Sequence, residues 1–282
     1  MKIIKYILLI MSFTFLSAES LRLDEKVLYE NNKDYKIIDA RSTSLYKEGH
    51  IKNALSFPSI LTYEKQSKNG KIINPVQMHE IVERLGLDVN SSIVIYDEGE
   101  FFDAARVFWS LEVYGFNNVK LLNTGYDTWI KNKYETSNLT PKVKRSNYIP
   151  RINHNRLSTR FQTQIATKNP NQSIIDARSY EEYIGNKSSA QRFGHIPAAM
   201  HISANDNIDY QSAANRLKSQ ETLKELYKHV DKSKKIIIYC SIGKMASANY
   251  FALRELGYNV SNYDASWNEW GNDFSLPIIS KK

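Results

Sequence analysis

Lys36-Ile37-Ile38-Asp39-Ala40-Arg41-Ser42 returns later in the chain as Ser173-Ile174-Ile175-Asp176-Ala177-Arg178-Ser179, and this recurrence decides the fold. Gly49-His50-Ile51 with Ala54 returns as Gly194-His195-Ile196 with Ala198-Ala199, and Ser92-Ile93-Val94-Ile95-Tyr96-Asp97 as Lys235-Ile236-Ile237-Ile238-Tyr239-Cys240. Spaced motifs repeated in one order mean two homologous domains in tandem. Their short apolar runs alternate with helical patterns, which is how parallel strands with helical crossovers appear in a sequence. The expected class is therefore α/β, each domain a parallel sheet flanked by helices. Behind the third repeated run the pattern predicts an amphipathic helix ending at Tyr114-Gly115 or Leu256-Gly257, a short strand, then an aromatic turn at Tyr126 to Trp129 or Trp267 to Trp270. Pro75 starts a helix through Leu85-Gly86, with Glu221 to His229 as its counterpart. The domains are expected at 21–136 and 156–282. Residues 137–155, with Pro141, Pro150 and no periodicity, read as the linker. Gly185 to Gln191 is a polar insertion in the second domain.

The repeat separates scaffold from chemistry. What both halves share is scaffold, so Asp39/Arg41 and Asp176/Arg178 read as folding ion pairs and His50 and His195 as structural histidines. The halves diverge after the third run. Asp97-Glu98-Gly99-Glu100-Phe101-Phe102-Asp103 carries four acids, whereas the second half carries Cys240-Ser241-Ile242-Gly243-Lys244-Met245. Cys240 is the one cysteine in the chain. At a strand-to-helix turn it faces free backbone N–H groups and the positive end of the helix dipole, and both favour a thiolate nucleophile. Gly243 lets the loop turn tightly around the sulfur. Ligands of open parallel sheets bind beyond the carboxyl ends of the strands, which is where Cys240 falls.

A length of 282 residues suits two domains, and 42% hydrophobic with 24% charged residues is an ordinary globular composition, so neither disorder nor a membrane bundle is indicated. The formal charge of +8 comes without a basic run or a nucleic-acid module, so it points to a mild attraction for anions and not to nucleic acid. Residues 1–20 read as a secretory signal peptide: Lys2 and Lys5, an apolar stretch from Tyr6 to Phe15, and small residues near Ala18. The stretch is too short for a comfortable span, so no stable membrane insertion is expected once it is removed. Export to the periplasm is the expectation. A lone cysteine in an oxidising compartment forms no internal disulfide and is retained for reactivity.

Asp176-Ala177-Arg178 with Glu182-Tyr183, Gly194-His195-Ile196-Pro197-Ala198-Ala199, the loop Cys240 to Met245, and Tyr263-Asp264-Ala265-Ser266-Trp267-Asn268-Glu269-Trp270-Gly271 together resemble the tandem-domain rhodaneses. These are the thiosulfate and 3-mercaptopyruvate sulfurtransferases, and the resemblance covers nearly everything from Leu21 onward. It implies two rhodanese-like domains, the first catalytically silent and the second catalytic. It implies transfer of a sulfane sulfur from an anionic donor, thiosulfate first and 3-mercaptopyruvate as the alternative. The sulfur passes through a Cys240 persulfide to a thiophilic acceptor such as cyanide or a thiol, in a monomer that needs no cofactor or metal. The donor site expected from the loop is Ser241, Ile242, Gly243, Lys244 and Met245, with Lys244 as the loop's one cation and Arg192 as a second anion contact. Thiosulfate-preferring members place basic residues directly after the cysteine, where this chain has Ser241 and Ile242. Many relatives have an arginine where it has Glu182. Donor identity therefore stays open. The 185–191 insertion is expected to shape substrate access. Trp267 and Trp270 both read as packing aromatics, Trp270 matched by Trp129 in the first half, with contact to the cleft as the alternative for Trp267. A phosphatase would need a longer loop closed by an arginine and a thiol–disulfide oxidoreductase a second cysteine, and the sequence offers neither; a cysteine protease would need a dedicated histidine base, but two of the six histidines read as scaffold and no protease motif surrounds Cys240. The non-enzymatic rival is a module that carries sulfur or docks a partner without turnover.

Overall fold

The computed structural model describes residues 20–64, 70–212 and 216–280, so the expected leader lies outside the described residues apart from Ser20. The first half contains β1 (Arg22–Leu23), α1 (Glu25–Glu30), β2 (Lys36–Asp39), α2 (Thr43–Glu48), β3 (His50–Ile51), β4 (Leu55–Ser56), α3 (Pro75–Leu85), β5 (Ile93–Tyr96), α4 (Phe102–Val113), β6 (Val119–Leu122), α5 (Tyr126–Lys131) and β7 (Thr136–Ser137). The second half contains α6 (Arg160–Ala166), β8 (Gln172–Asp176), α7 (Tyr180–Tyr183), β9 (Ala199–His201), β10 (Ile208–Asp209), β11 (Arg216–Leu217), α8 (Gln220–Leu226), β12 (Lys235–Tyr239), α9 (Ala246–Glu255), β13 (Val260–Asn262) and α10 (Ser266–Trp270). One all-parallel sheet runs β1-β6-β5-β2-β4 and the other β13-β12-β8-β9. Leu157 bridges Asn262 in parallel, so it stands at the edge of the second sheet where β1 stands in the first. The central strands are buried on both faces, which is why Ile37-Ile38 and Ile236-Ile237-Ile238 read as unbroken apolar runs. Pro75 opens α3 under an Asn74–Gln77 capping box, and Gly86 closes it in the left-handed conformation.

The repeated scaffold motif builds the same network twice. Arg41 Nη2 donates to Asp39 Oδ2 (2.7 Å) and to the Gly49 carbonyl (2.6 Å), and Arg178 Nη2 donates to Asp176 Oδ2 (2.6 Å) and to the Gly194 carbonyl (2.7 Å). Tyr96 and Tyr239 donate from the ends of β5 and β12 to the same aspartates, each at 2.5 Å. His50 and His195 hold the carbonyls of Tyr46 and Tyr183 and stack on those rings at 3.9 Å. Each network ties the start of a crossover to the strand end opposite it.

The helices after β5 and β12 differ from the expected amphipathic pattern. Residues 104–113 of α4 are all buried, as are residues 246–253 of α9. Each lies on its own sheet with one face and on the other helix with the opposite face. Phe108 meets Phe251 edge to face at 4.9 Å, and Phe101 meets it at 5.4 Å. The halves thus join through equivalent helices, and one apolar core runs across the joint. Glu112 on α4 receives Arg254 Nη2 (2.8 Å) and the Tyr250 hydroxyl (2.5 Å), and Arg22 holds Glu255 (2.5 Å). Residues 137–155 do not swing free. Tyr148 donates to the Tyr114 carbonyl and the Asn153 amide to the Val113 carbonyl, strapping the segment to the end of α4.

Candidate active site

Cys240 follows β12 directly, and the chain turns through five residues before α9 begins at Ala246. Three backbone-level contacts fix the cysteine. Its N–H donates to Ser266 Oγ (3.1 Å), its carbonyl accepts from the Trp267 N–H (3.0 Å), and its Sγ accepts from the Gly243 N–H (3.1 Å). Ser266 adopts a left-handed backbone (φ 56°), a conformation that costs a non-glycine residue about 1–2 kcal/mol, and its hydroxyl donates on to the Tyr263 carbonyl. Cys240 itself is 2% exposed. The sulfur therefore sits in a dry nest whose amide already points at it, an arrangement that stabilises anionic sulfur without reorganisation.

The loop is held open from behind. The Gly243 carbonyl accepts from Ser247 Oγ (2.9 Å), Asn262 Nδ2 (3.0 Å) and Arg106 Nη1 (3.3 Å). Gly243 takes φ +73°, and a Cβ there would lie 2.7 Å from the Asp264 carbonyl oxygen, so glycine is required twice over. Gly70, from the first half, lies against the Ile242 carbonyl with no room for a side chain. Ile242 is 39% exposed and presents an apolar surface beside the sulfur loop. Ser241 Oγ donates to Glu182 Oε1 (3.3 Å), and Met245 is half-buried against the common core.

Both cations expected at the donor have other partners. Lys244 Nζ lies 2.7 Å from Asp103 Oδ1, across the domain joint, and both side chains are partly exposed. Arg192 donates from Nε and both Nη atoms to the carbonyls of Gly271, Leu276, Trp270 and Asp273, which makes it a clasp for the end of α10 and the C-terminal segment. That engagement replaces the donor contact expected of it. Trp267 is fully buried, not at the cleft, with Arg178 stacked on it at 4.4 Å and its Nε1 donating to Ser188 of the 185–191 insertion. Trp270 packs as expected, donating to the Pro277 carbonyl. The insertion covers α10.

Residues of the first half that the sequence did not single out complete the site. Arg106 on α4 is wholly buried, donates to Thr62 Oγ1, the Gly70 carbonyl and the Gly243 carbonyl, and lies between the rings of Tyr63 (4.3 Å) and Trp109 (4.4 Å). Burial pushes the Tyr63 hydroxyl up to about 12 against the opposing pull of the Arg106 guanidinium. No local motif in the first half marks Arg106, because its partners lie 36, 44 and 137 residues away in the chain.

The matching loop of the first half already contains an anion. Asp97, at the position of Cys240, accepts from the amides of Gly99 (2.9 Å), Phe101 (3.2 Å) and Ala104 (3.0 Å) with its own carboxylate. Burial lifts that carboxyl to about 6 against the opposing pull of these amides. The nest is built in both halves; in one it is filled by its own acid and in the other it surrounds a sulfur. A cavity of about 570 Å³ lies between residues 71–75, 157–161 and 263–265, and Cys240 is not part of its wall.

A family model described as the rhodanese-like domain matches twice, over residues 24–132 and 159–273. Mycobacterium bovis SseA, named as a candidate thiosulfate sulfurtransferase, is 32% identical over 255 residues, covering 84% of this chain and 82% of its own length. The Thermus thermophilus sulfur carrier protein TtuD is 30% identical over 256 residues, covering 83% and 86%. The crystal structure of Escherichia coli SseA, described as a 3-mercaptopyruvate sulfotransferase, superposes with a TM-score of 0.78 at 24% identity over 88% of this chain and 99% of that one.

Proposed function

The chain belongs to the rhodanese family and is a sulfurtransferase, and on that premise we propose that Cys240 carries a sulfane sulfur from thiosulfate to a thiophilic acceptor. The observation that carries this reading is the Gly243 N–H on Cys240 Sγ, in a loop whose Gly243 carbonyl is held by Ser247 and Asn262. The thiolate attacks the outer sulfur of thiosulfate, a new S–S bond forms, and the donor's S–S bond breaks with its electron pair leaving on sulfite. Cys240 is left as a persulfide anion, which the same amide stabilises. Cyanide or a thiolate then attacks the terminal sulfur and the Cys240 thiolate is regenerated. No proton, metal or redox partner enters this balance.

The first half acts as a silent partner. Its Asp97 carboxylate fills the nest and cannot carry sulfur, while Arg106 and Gly70 brace the catalytic loop. The second donor is 3-mercaptopyruvate, favoured by the neutral Ser241-Ile242 pair beside the sulfur and by the pairing of Lys244 with Asp103. The leader-like residues 1–20 support a periplasmic enzyme. Comparative kcat/KM for thiosulfate and 3-mercaptopyruvate, with cyanide as acceptor, tests the donor. Cys240→Ser abolishes transfer from both, because a serine hydroxyl forms no persulfide. Turnover near wild type in that variant refutes the mechanism, and an intact cysteine without turnover of either donor leaves a sulfur carrier.

A further inference from the structure

We propose that Glu182 is a specificity-determining residue whose carboxylate stands at the catalytic loop as a charge filter, favouring neutral and singly charged sulfur partners over dianions. The proposal rests on Cys240 being the sulfur nucleophile and deepens the choice between its donors.

The two halves differ in how an acid meets this loop. In the silent half the residue after Asp97 is Glu98, and Arg41 Nη1 neutralises it at 2.9 Å. In the catalytic half the residue after Cys240 is Ser241, and its hydroxyl instead draws in Glu182 from α7, donating to Oε1 at 3.3 Å. Among the described residues no cation pairs with this second acid; its Oε2 accepts from the Ser179 amide (3.3 Å) and hydroxyl (2.8 Å), both neutral donors. Arg178 Nη1, the counterpart of the nitrogen that holds Glu98, is buried without a hydrogen-bond partner among the described residues. Arg178 feels the charge of Glu182, and Asp176 already matches its own at 2.6 Å. Lys244 is paired with Asp103, Arg192 is engaged by carbonyls, and Arg106 interacts with the buried Asp264 behind the loop. The charge left over beside the sulfur is that of Glu182.

The scaffold does not require this acid. Counted from the shared Asp-x-Arg, the counterpart of Glu182 in the first half is Leu45, and Ser42 still caps α2 by accepting from the Leu45 amide at 3.3 Å. Glu182 and Ser241 are both partly exposed, so the carboxylate acts on whatever approaches the loop. Its hydrogen bond to Ser241, with the single Cα step from Ser241 to Cys240, keeps it within about 12 Å of Sγ. At that separation and an effective dielectric of about 40, between a surface pair and bulk water, each unit charge on the partner changes its local concentration by roughly threefold. A dianion pays this penalty twice in the logarithm, roughly tenfold in all. Thiosulfate carries two charges and 3-mercaptopyruvate one, so the filter tilts the enzyme toward the second donor.

The test is the alkylation profile of the single cysteine with iodoacetate, iodoacetamide and 2-bromoethylamine, which are anionic, neutral and cationic, on protein first freed of bound sulfur with dithiothreitol. It is run at about 10 mM salt, where the screening length is about 30 Å. Rates are expressed relative to iodoacetamide, so any change in the sulfur's own titration or in loop mobility cancels. Glu182→Gln keeps the shape of the side chain and its cap on Ser179 while removing the charge. It raises the relative iodoacetate rate about threefold, lowers the relative 2-bromoethylamine rate about threefold, and loses most of both changes at about 0.5 M salt. Glu182→Asp keeps the charge and with it the wild-type ratios. In transfer to cyanide, Glu182→Gln raises kcat/KM about tenfold for thiosulfate and about threefold for 3-mercaptopyruvate. A folded Glu182→Gln protein with wild-type alkylation ratios overturns the proposal, as does a shift in the same direction for iodoacetate and 2-bromoethylamine. Should the Gln variant not fold, Glu182→Leu, which installs the residue of the silent half, gives the same reading. The alkylation arm needs no sulfur donor, so shifted ratios in a protein that turns over neither donor support the filter while refuting the donor assignment.

Discussion

Replacing Gly243 by alanine attacks the active site through two atoms that cannot give way. The residue holds φ +73°, where a side chain costs about 1–2 kcal/mol. The new Cβ would stand 2.7 Å from the Asp264 carbonyl oxygen and 2.8 Å from its Cα, both backbone atoms, and 2.9 Å from Arg106 Nη1. Ordinary contact begins near 3.4 Å, so the loop must retreat from Asp264 and carry the Gly243 amide with it. The Gly243 N–H is now 3.1 Å from Cys240 Sγ, and a retreat of about 0.7 Å stretches that contact to the edge of hydrogen-bond range, where most of its strength is gone. A hydrogen bond to a charged group contributes about 1.5–3 kcal/mol, and losing it from both the thiolate and the persulfide lowers kcat/KM by roughly ten- to a hundredfold. Stability falls by about 1–3 kcal/mol from the backbone conformation and the contact, which thermal unfolding measures. The assay is steady-state transfer from thiosulfate to cyanide by the purified Gly243→Ala protein, alongside its iodoacetamide profile. A folded Gly243→Ala protein with wild-type kcat/KM would mean that the amide of Gly243 does not stabilise the sulfur anion, and the nest argument would fall.

The paired charge of Lys244 makes it a weaker donor contact than its place in the loop suggests: Lys244→Ala lowers kcat/KM for thiosulfate by no more than about threefold, whereas Asp103→Asn, which frees the lysine, raises it about two- to fivefold and makes it salt-sensitive. A tenfold loss in the first variant with no gain in the second contradicts the pairing. Asp97→Cys on a Cys240→Ser background creates no second active site, because burial and the neighbouring Asp103 disfavour the anion of the new thiol. The same change leaves the amides of Gly99, Phe101 and Ala104 without their carboxylate and lowers stability by about 1–3 kcal/mol, read from thermal unfolding. Ready turnover of thiosulfate by this variant contradicts the charge argument.

Features that local pattern encodes were legible before folding was considered. Apolar runs such as Ile236-Ile237-Ile238, the turn chemistry of Pro75 and Gly86, and the recurrence of Asp-x-Arg with Gly-His-Ile gave the parallel sheets, the duplication and the structural role of both histidines. Comparing the halves isolated Cys240, because a nucleophile at a strand-to-helix turn is a local feature. Features that depend on partners distant in sequence became visible only in the folded chain. The helices α4 and α9 read as amphipathic and are buried nearly all round, because each serves as the other's second layer. Lys244 and Arg192 carry charges that sequence can count, but Asp103 and a ring of C-terminal carbonyls, brought close by folding, determine where those charges are used. Arg106 is an unremarked residue in a helical pattern until the two halves pack and place it behind Gly243. Hydrogen bonds and ion pairs are satisfied in space, so a sequence shows which groups need partners while the packed structure assigns them.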